Sequence, residues 1–161
     1  MIDQNDAVRC TFTRRAFCVQ ACEAVSLAAV GAMLQACGGS PTSPTSTAPA
    51  LPTINGSAAG GVVSVPIDPA SALANIGSAA LVQVSNAAYL VAHTAQNTFT
   101  ALTAVCTHEG CTITGFDSPK YVCPCHGSQY STAGAVLNGP ATQSLRQFPT
   151  QFVNNVLTFS T

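Results

Sequence analysis

The chain has 161 residues, enough for one domain with a leader segment. Its 5 basic and 6 acidic side chains give a formal net charge of −1, which excludes the basic footprint expected of a protein that binds nucleic acid or an anionic membrane surface. Eight cysteines are many for a chain of this size, so their positions decide the interpretation.

The N-terminal segment 1–37 is predicted to be an export leader rather than part of the fold. Arg14 and Arg15 precede a weakly apolar run at 24–34, which is shorter than the roughly 20 residues needed to cross a bilayer. A basic start followed by a short apolar stretch is typical of a signal peptide. The paired arginines followed by Phe17 resemble a twin-arginine export signal.

The leader ends in LQAC, which resembles a bacterial lipobox with Cys37 as the lipid-bearing residue. The alternative is an uncleaved N-terminal anchor helix, although Glu23 and Gln35 are costly inside a bilayer. Residues 38–52 are almost exclusively Pro, Ser, Thr, Gly and Ala, so we expect a flexible tether there. Either anchor is expected to hold the exported domain on the periplasmic side of a bacterial membrane.

Residues 53–161 are predicted to form an all-β domain. Short runs of Val, Leu, Thr and aromatic residues alternate with Asn, Gly, Ser and Pro, and no helical period or internal repeat appears after the leader. This spacing is typical of antiparallel sandwiches and barrels. Hairpin turns are expected at 86–87 and 95–97. The predicted strands are residues 61–65, 80–85, 89–94, 99–105, 120–123, 135–137 and 156–160.

Two short motifs contain all four cysteines of this domain: CTHEGC at 106–111 and CPCHG at 123–127. A tetrahedral zinc site needs four ligands and would leave two candidates unused. A thioredoxin-type dithiol has the spacing C-x-x-C, and a nucleophilic cysteine needs one thiol and a base. An iron–sulfur cluster with mixed ligation fits this set best, and a structural zinc-binding module is the alternative.

Extended to CPCHGSQY, the two motifs resemble the Rieske iron–sulfur family, and Cys111 and Cys125 resemble the cysteine pair of its disulfide-containing, cytochrome bc-type members. The downstream NGPA at 138–141 resembles the proline loop that covers the cluster in those proteins. The resemblance implies a Rieske-type β-sandwich or barrel over 53–161, with a small cluster-binding subdomain at about 104–141. It also implies a disulfide between Cys111 and Cys125.

The resemblance further implies the ligands of a [2Fe–2S] cluster. One iron would be bound by Cys106 and Cys123, and the other by His108 and His126. Two neutral imidazoles in place of two thiolates remove two negative charges, so the cluster accepts an electron more easily. Rieske centres accordingly lie at about −150 to +300 mV, compared with about −400 mV for plant-type ferredoxins.

Other positions receive roles from the same resemblance. Ser128 would donate a hydrogen bond to a bridging sulfide and Tyr130 one to the sulfur of Cys106, and both would stabilise the reduced state. His126 would be the contact for quinol. Glu109 departs from the family, because bc-type members usually have leucine at this position. Its charge is expected to lower the potential or to favour a partner other than a quinol-oxidising complex.

These features predict a membrane-tethered one-electron carrier that is a subunit of an oxidoreductase complex rather than an enzyme by itself. The expected context is the Rieske subunit of a quinol-oxidising respiratory complex that passes electrons to a cytochrome. The alternative is the small Rieske subunit of a periplasmic molybdenum oxidase of the arsenite-oxidase type. A disulfide requires an oxidising compartment, and the leader independently indicates export.

Overall fold

A computed structural model of the chain describes residues 48–161. The predicted leader 1–37, with Cys37, and most of the predicted tether lie outside the described residues, so their assignment stays a prediction. The described part is built of strands and turns and contains no helix. No helix in that part could therefore span a membrane. The predicted all-β class is confirmed.

Thirteen strands occur in residues 48–161. The predicted strands correspond to β3, β4, β5, β6, β8, β10 and β13, whereas the strands that were not predicted are only two to four residues long. The strands are β1 Thr53–Asn55, β2 Ser57–Ala59, β3 Val62–Pro66, β4 Ala79–Val84, β5 Ala87–Ala95, β6 Thr98–Thr103, β7 Gly115–Asp117, β8 Lys120–Val122, β9 Gln129–Ser131, β10 Val136–Asn138, β11 Gln147–Phe148, β12 Thr150–Val153 and β13 Val156–Ser160.

A five-stranded sheet in the order β1-β4-β5-β6-β11 lies at the centre, with β1 parallel to β4 and the other pairs antiparallel. Successive side chains of a strand point to opposite faces. Leu81 and Leu90 therefore belong to one core, while Val82 and Val91 belong to a second core on the other face. Burial on both faces explains why β4 reads as a nearly continuous apolar run.

Each core is closed by a smaller antiparallel sheet. The sheet β12-β13-β3-β2 packs Val63, Val65 and Phe159 into one core. The sheet β10-β9-β8-β7 packs Tyr121 and Tyr130 into the other. The second of these sheets positions the site, because both cysteine–histidine motifs lie in loops at its strand ends.

The hairpin turns show how well the local sequence specifies the fold. The turn between β5 and β6 lies at residues 96–97, within the predicted range, and Asn97 adopts a φ of +54°. The turn between β4 and β5 consists of Ser85 and Asn86 rather than residues 86–87, and Ser85 has a φ of +49°. The prediction failed by one residue because serine is an unusual choice for this left-handed conformation.

Candidate metal centre

The two motif loops share one backbone conformation, although their sequences show no obvious repeat. In loop 1, Cys106–Cys111, and in loop 2, Cys123–Ser128, the first N–H donates to the sixth carbonyl, at 2.8 and 2.9 Å. The fifth N–H donates to the first carbonyl, at 2.9 and 3.1 Å. The fifth residue is Gly110 or Gly127, each with a φ of +74°, a conformation that glycine adopts without steric cost.

A disulfide between Cys111 and Cys125 joins loop 1 to loop 2. The two Cα atoms are 6.5 Å apart, within the usual range for a disulfide. The bond holds the loops against each other at the end of the domain. It also leaves Cys106 and Cys123 as the free cysteines of the described residues.

The two free thiols lie on the inner side of the loops. Cys106 and Cys123 are 3% and 1% exposed and belong to the core beneath the loops. Burial opposes ionisation of Cys106, but hydrogen bonds from the Tyr130 hydroxyl, the His108 backbone, Cys123 and Ser128 lower its pKa. Burial raises the pKa of Cys123, and the neighbouring Cys106 adds to that effect. The surroundings of Cys106 thus make it easier to form the thiolate, which is the form of cysteine that binds metal.

The two motif histidines meet at the outer side of the loops. The Nδ1 atoms of His108 and His126 are 3.3 Å apart, and the rings are nearly perpendicular, at 85°. Two nitrogens bound at about 2.0–2.1 Å to one tetrahedral metal ion lie about 3.3–3.4 Å from each other. The Nδ1 pair is therefore spaced to share one metal ion. The side chains are 29% and 43% exposed, so this end of the site faces solvent.

Tyr130 contacts the sulfur side of the site from strand β9. Its ring is fully buried, and its hydroxyl lies 3.2 Å from the sulfur of Cys106. The Thr107 N–H donates to the same hydroxyl oxygen at 3.2 Å, and the Thr107 Oγ1 lies 3.0 Å from it. Burial, together with the Cys106 sulfur, raises the pKa of Tyr130, so this hydroxyl keeps its proton as a donor.

Ser128 is fully buried, with 0% of its surface exposed. Its Oγ accepts a hydrogen bond from the Ala141 N–H at 3.1 Å. The serine proton therefore stays available to donate toward the sulfur side of the site, and Ser128 is one of the groups that lower the pKa of Cys106. The bond to Ala141 also ties the predicted covering loop at 138–141 to loop 2.

Thr107 and Gln143 take part in the site, although the sequence did not single them out. The hydroxyl of Thr107 donates to the Gln143 carbonyl at 2.6 Å, which ties loop 1 to the residues that follow the covering loop at 138–141. This hydrogen bond could not be predicted from the sequence, because the two residues are 36 positions apart and threonine is common in loops. The position of Thr107 inside CTHEGC was the only available signal.

Glu109 places its carboxylate beside both histidines. One oxygen lies 4.0 Å from Nε2 of His108, and the other lies 3.8 Å from Nε2 of His126. Both distances exceed hydrogen-bond length but are within ion-pair range. The Glu109 side chain is 61% exposed. The outer nitrogens of the histidine pair therefore face one carboxylate, whereas the inner nitrogens face each other.

Comparison with known proteins identifies the family. Residues 64–149, more than half of the chain, match the family model for the Rieske [2Fe-2S] domain. This chain belongs to the Rieske family. The cofactor of the domain is accordingly a Rieske-type [2Fe–2S] cluster, so the structural zinc module is set aside. The resemblance inferred from CTHEGC and CPCHGSQY is confirmed.

Known Rieske proteins match parts of this chain. The cytochrome b6-f complex iron-sulfur subunit of Cyanothece sp. is 43% identical over 60 residues, 37% of this chain and 34% of that protein. The same subunit of Prochlorococcus marinus is 56% identical over 46 residues, 27% and 25% of the two chains. These matches span about a third or less of the relatives' length. The plasma membrane Rieske protein of Synechocystis matches with a TM-score of 0.47 and 28% identity, over 52% of this chain and 86% of that one.

The donor set fits the Rieske cofactor. Two buried thiols lie on the inner side of the joined loops, and two imidazole nitrogens at metal-sharing distance lie on the outer side. Two-sulfur, two-nitrogen ligation with the nitrogens on one iron is the pattern of Rieske centres. Backbone hydrogen bonds and the disulfide therefore hold the four donor residues in this arrangement through protein contacts alone.

Proposed function

We propose that this protein carries single electrons as the Rieske subunit of a quinol-oxidising membrane complex and passes them to a cytochrome. The observation that carries the proposal is the 3.3 Å approach of the two Nδ1 atoms. It occurs at the solvent-facing end of a site whose thiols are buried. A cluster held by these residues would have its histidine side at the surface, where an electron could enter or leave.

In this proposal, Cys106 and Cys123 would hold one iron of the cluster, and Nδ1 of His108 and Nδ1 of His126 would hold the other. The cluster supplies a one-electron redox couple. The protein supplies two neutral ligands instead of two thiolates, which raises the potential. It also excludes water from the sulfur side, because both thiols are buried.

Hydrogen bonds at the sulfur side tune the same couple. Tyr130 is placed to donate to the Cys106 sulfur at 3.2 Å, and Ser128 has its proton free for the predicted bond to a bridging sulfide. Donors to the sulfurs withdraw electron density and stabilise the reduced form. Both residues therefore favour the upper part of the Rieske range.

Quinol and cytochrome partners are proposed from two lines of support. The matched relatives are named as subunits of the cytochrome b6-f complex. In this chain, His126 is the more exposed of the two motif histidines, at 43% of its side chain, which suits it as the quinol contact. The predicted leader, with lipid at Cys37 or an uncleaved helix, would keep the domain at the periplasmic face of the membrane.

A second candidate function is the small Rieske subunit of a periplasmic molybdenum oxidase of the arsenite-oxidase type. Glu109 favours it, because a carboxylate 3.8 Å from Nε2 of His126 changes the surface that a quinol would approach. In that role the cluster would take electrons from a protein-bound metal site instead of a quinol.

An EPR-monitored redox titration of the purified protein, with analysis of iron and labile sulfide, tests the function. A rhombic low-g signal with a high midpoint is expected for a quinol-linked Rieske cluster. The same signal with a low midpoint that does not change with pH would indicate an electron donor or acceptor other than quinol and cytochrome. A protein without iron and sulfide would overturn the assignment of both thiols and both histidines as cluster ligands.

A further inference from the structure

Few charged side chains surround the site, so each one has a large share in the electrostatic potential there. Residues 48–161 contain five charged side chains, and Glu109 is the one of these that lies within ion-pair distance of a motif histidine. The others are engaged elsewhere. Asp117 pairs with Lys120 at 3.3 Å, Arg146 lies 4.7 Å from the centre of the Phe148 ring, and Asp68 accepts a bond from the Ala70 N–H.

The position of the Glu109 carboxylate is symmetric with respect to the two imidazoles. Its oxygens approach the two outer nitrogens separately, at 4.0 and 3.8 Å. If Nδ1 of each ring binds iron, Nε2 of each ring carries the remaining proton and can only donate. A carboxylate can only accept. One side chain thus faces the outer donors of both ligands at once.

A carboxylate near the outer N–H of a metal-bound imidazole makes the ring a stronger electron donor to the metal. A stronger donor stabilises the oxidised iron, and the negative charge itself opposes addition of an electron. This effect is opposite in sign to that of Tyr130 and Ser128 at the sulfur side. Since Glu109 is mostly exposed, solvent and salt weaken its effect without abolishing it at such short range.

We propose that Glu109 is a positioning residue that acts through His108 and His126 together and lowers the reduction potential of the cluster. The inference rests on the proposed function, because it requires both histidines as iron ligands. On the histidine side of the site, Glu109 would lower the reduction potential, whereas the hydrogen bonds from Tyr130 and Ser128 on the sulfur side would raise it. The midpoint potential is then set by a balance between two ends of the same site.

The test compares the midpoint potentials of the full-length holoprotein and three variants by EPR-monitored titration at low and at 1 M salt. Glu109→Gln removes the charge and keeps the shape, and Glu109→Asp keeps the charge. Asp68→Asn is the matched control, because it removes one negative charge at a residue whose hydrogen bond to the Ala70 N–H an asparagine oxygen can preserve. Pulsed EPR of the reduced forms measures the nitrogen couplings of the imidazoles.

We expect Glu109→Gln to raise the midpoint and to shift the imidazole nitrogen couplings, with a smaller rise at 1 M salt. Glu109→Asp should stay closer to the wild type, and Asp68→Asn should match it. An intact cluster whose midpoint is the same in Glu109→Gln and Asp68→Asn would overturn the inference alone. A wild-type protein that lacks iron and labile sulfide would overturn the proposed function and this inference with it.

Discussion

The Tyr130 hydroxyl has one proton and two acceptors within reach. Thr107 uses its own proton on the Gln143 carbonyl at 2.6 Å, since a carbonyl cannot donate. The Thr107 oxygen can therefore only accept from Tyr130, at 3.0 Å, in competition with the Cys106 sulfur at 3.2 Å. A thiolate bound to iron keeps enough negative charge to attract the proton, and charge-assisted hydrogen bonds are the stronger ones.

Replacing Tyr130 with Phe should lower the reduction potential and leave the cluster assembled. The ring and its packing remain, while the donor to the Cys106 sulfur is lost. A redox titration of the variant against the wild type measures the effect. The same titration of Tyr121→Phe is the control, because that hydroxyl makes no hydrogen bond in the described structure. Equal midpoints in all three proteins would show that the sulfur hydrogen bond is absent.

Tyr121 and Tyr130 also form a matched pair for stability. They are directly opposite each other on β8 and β9, and both are fully buried. The Tyr121 hydroxyl is buried without a partner among the described residues, and burial raises the pKa of Tyr121. An unsatisfied buried hydroxyl costs about 1–3 kcal/mol, whereas a made hydrogen bond stabilises by about 1 kcal/mol.

Tyr121→Phe should therefore raise the free energy of unfolding, by about 1 kcal/mol or more. Tyr130→Phe removes a hydroxyl that makes hydrogen bonds, so this variant should lower the free energy of unfolding by about 1 kcal/mol. Chemical denaturation of the two variants, monitored by circular dichroism, measures both. A loss of stability in Tyr121→Phe would show that its hydroxyl has a partner, such as an ordered water.

At the scale of elements, loops 1 and 2 are each closed by their own backbone hydrogen bonds and are joined to each other by one covalent bond. The disulfide connects residues 14 positions apart. A cross-link that closes about 15 residues restricts the unfolded chain by about 3 kcal/mol in the chain-entropy model.

The double variant Cys111→Ser/Cys125→Ser should thus lose about 3 kcal/mol of unfolding free energy as the metal-free protein. Cys106 and Cys123 stay unchanged, so the ligands proposed for the cluster are retained. Urea denaturation of the variant beside the oxidised wild type gives the difference. Coincident unfolding curves would mean that the backbone hydrogen bonds alone hold the loops.

Some of these elements could be predicted from the sequence and others could not, for physical reasons. The disulfide between Cys111 and Cys125 was predicted through the resemblance of the two motifs to the disulfide-containing Rieske proteins, and the structure contains it. The apolar runs predicted β4 and β6 because both strands place apolar side chains in the two cores. The bond from Thr107 to Gln143 was missed because it joins residues 36 positions apart. Strand β9 was missed because Gln129 and Ser131 flank a single aromatic residue, whereas the equally short β8 and β10 contain valine, which is enriched in strands.

At the scale of the whole molecule, the predicted leader and tether would decide where the cluster works. A lipid on Cys37 would leave the folded domain on a flexible segment, free to move between an electron donor and an acceptor. Stable anchoring by lipid takes more than one acyl chain, which a lipidated N-terminal cysteine would provide.

Cys37→Ala should release the protein from membranes. Partitioning of the full-length chain between detergent and aqueous phases, before and after the substitution, measures the change. Substitution of Cys18 by Ala, within the predicted leader, is a control that should leave partitioning unaffected. A Cys37→Ala protein that still enters the detergent phase would indicate an uncleaved helix as the anchor.

The central sheet has a consequence for how the molecule comes apart. Because β4 and β5 contribute side chains to both cores, neither core can open without disturbing the backbone that the other depends on. Unfolding should then be cooperative across the domain, with one transition seen from either end. A probe at Phe159, in the core remote from the thiols, would melt together with one at Tyr130. A substitution that unfolds the core around Phe159 would therefore also unfold the core that contains Cys106 and Cys123, and a bound cluster would be lost.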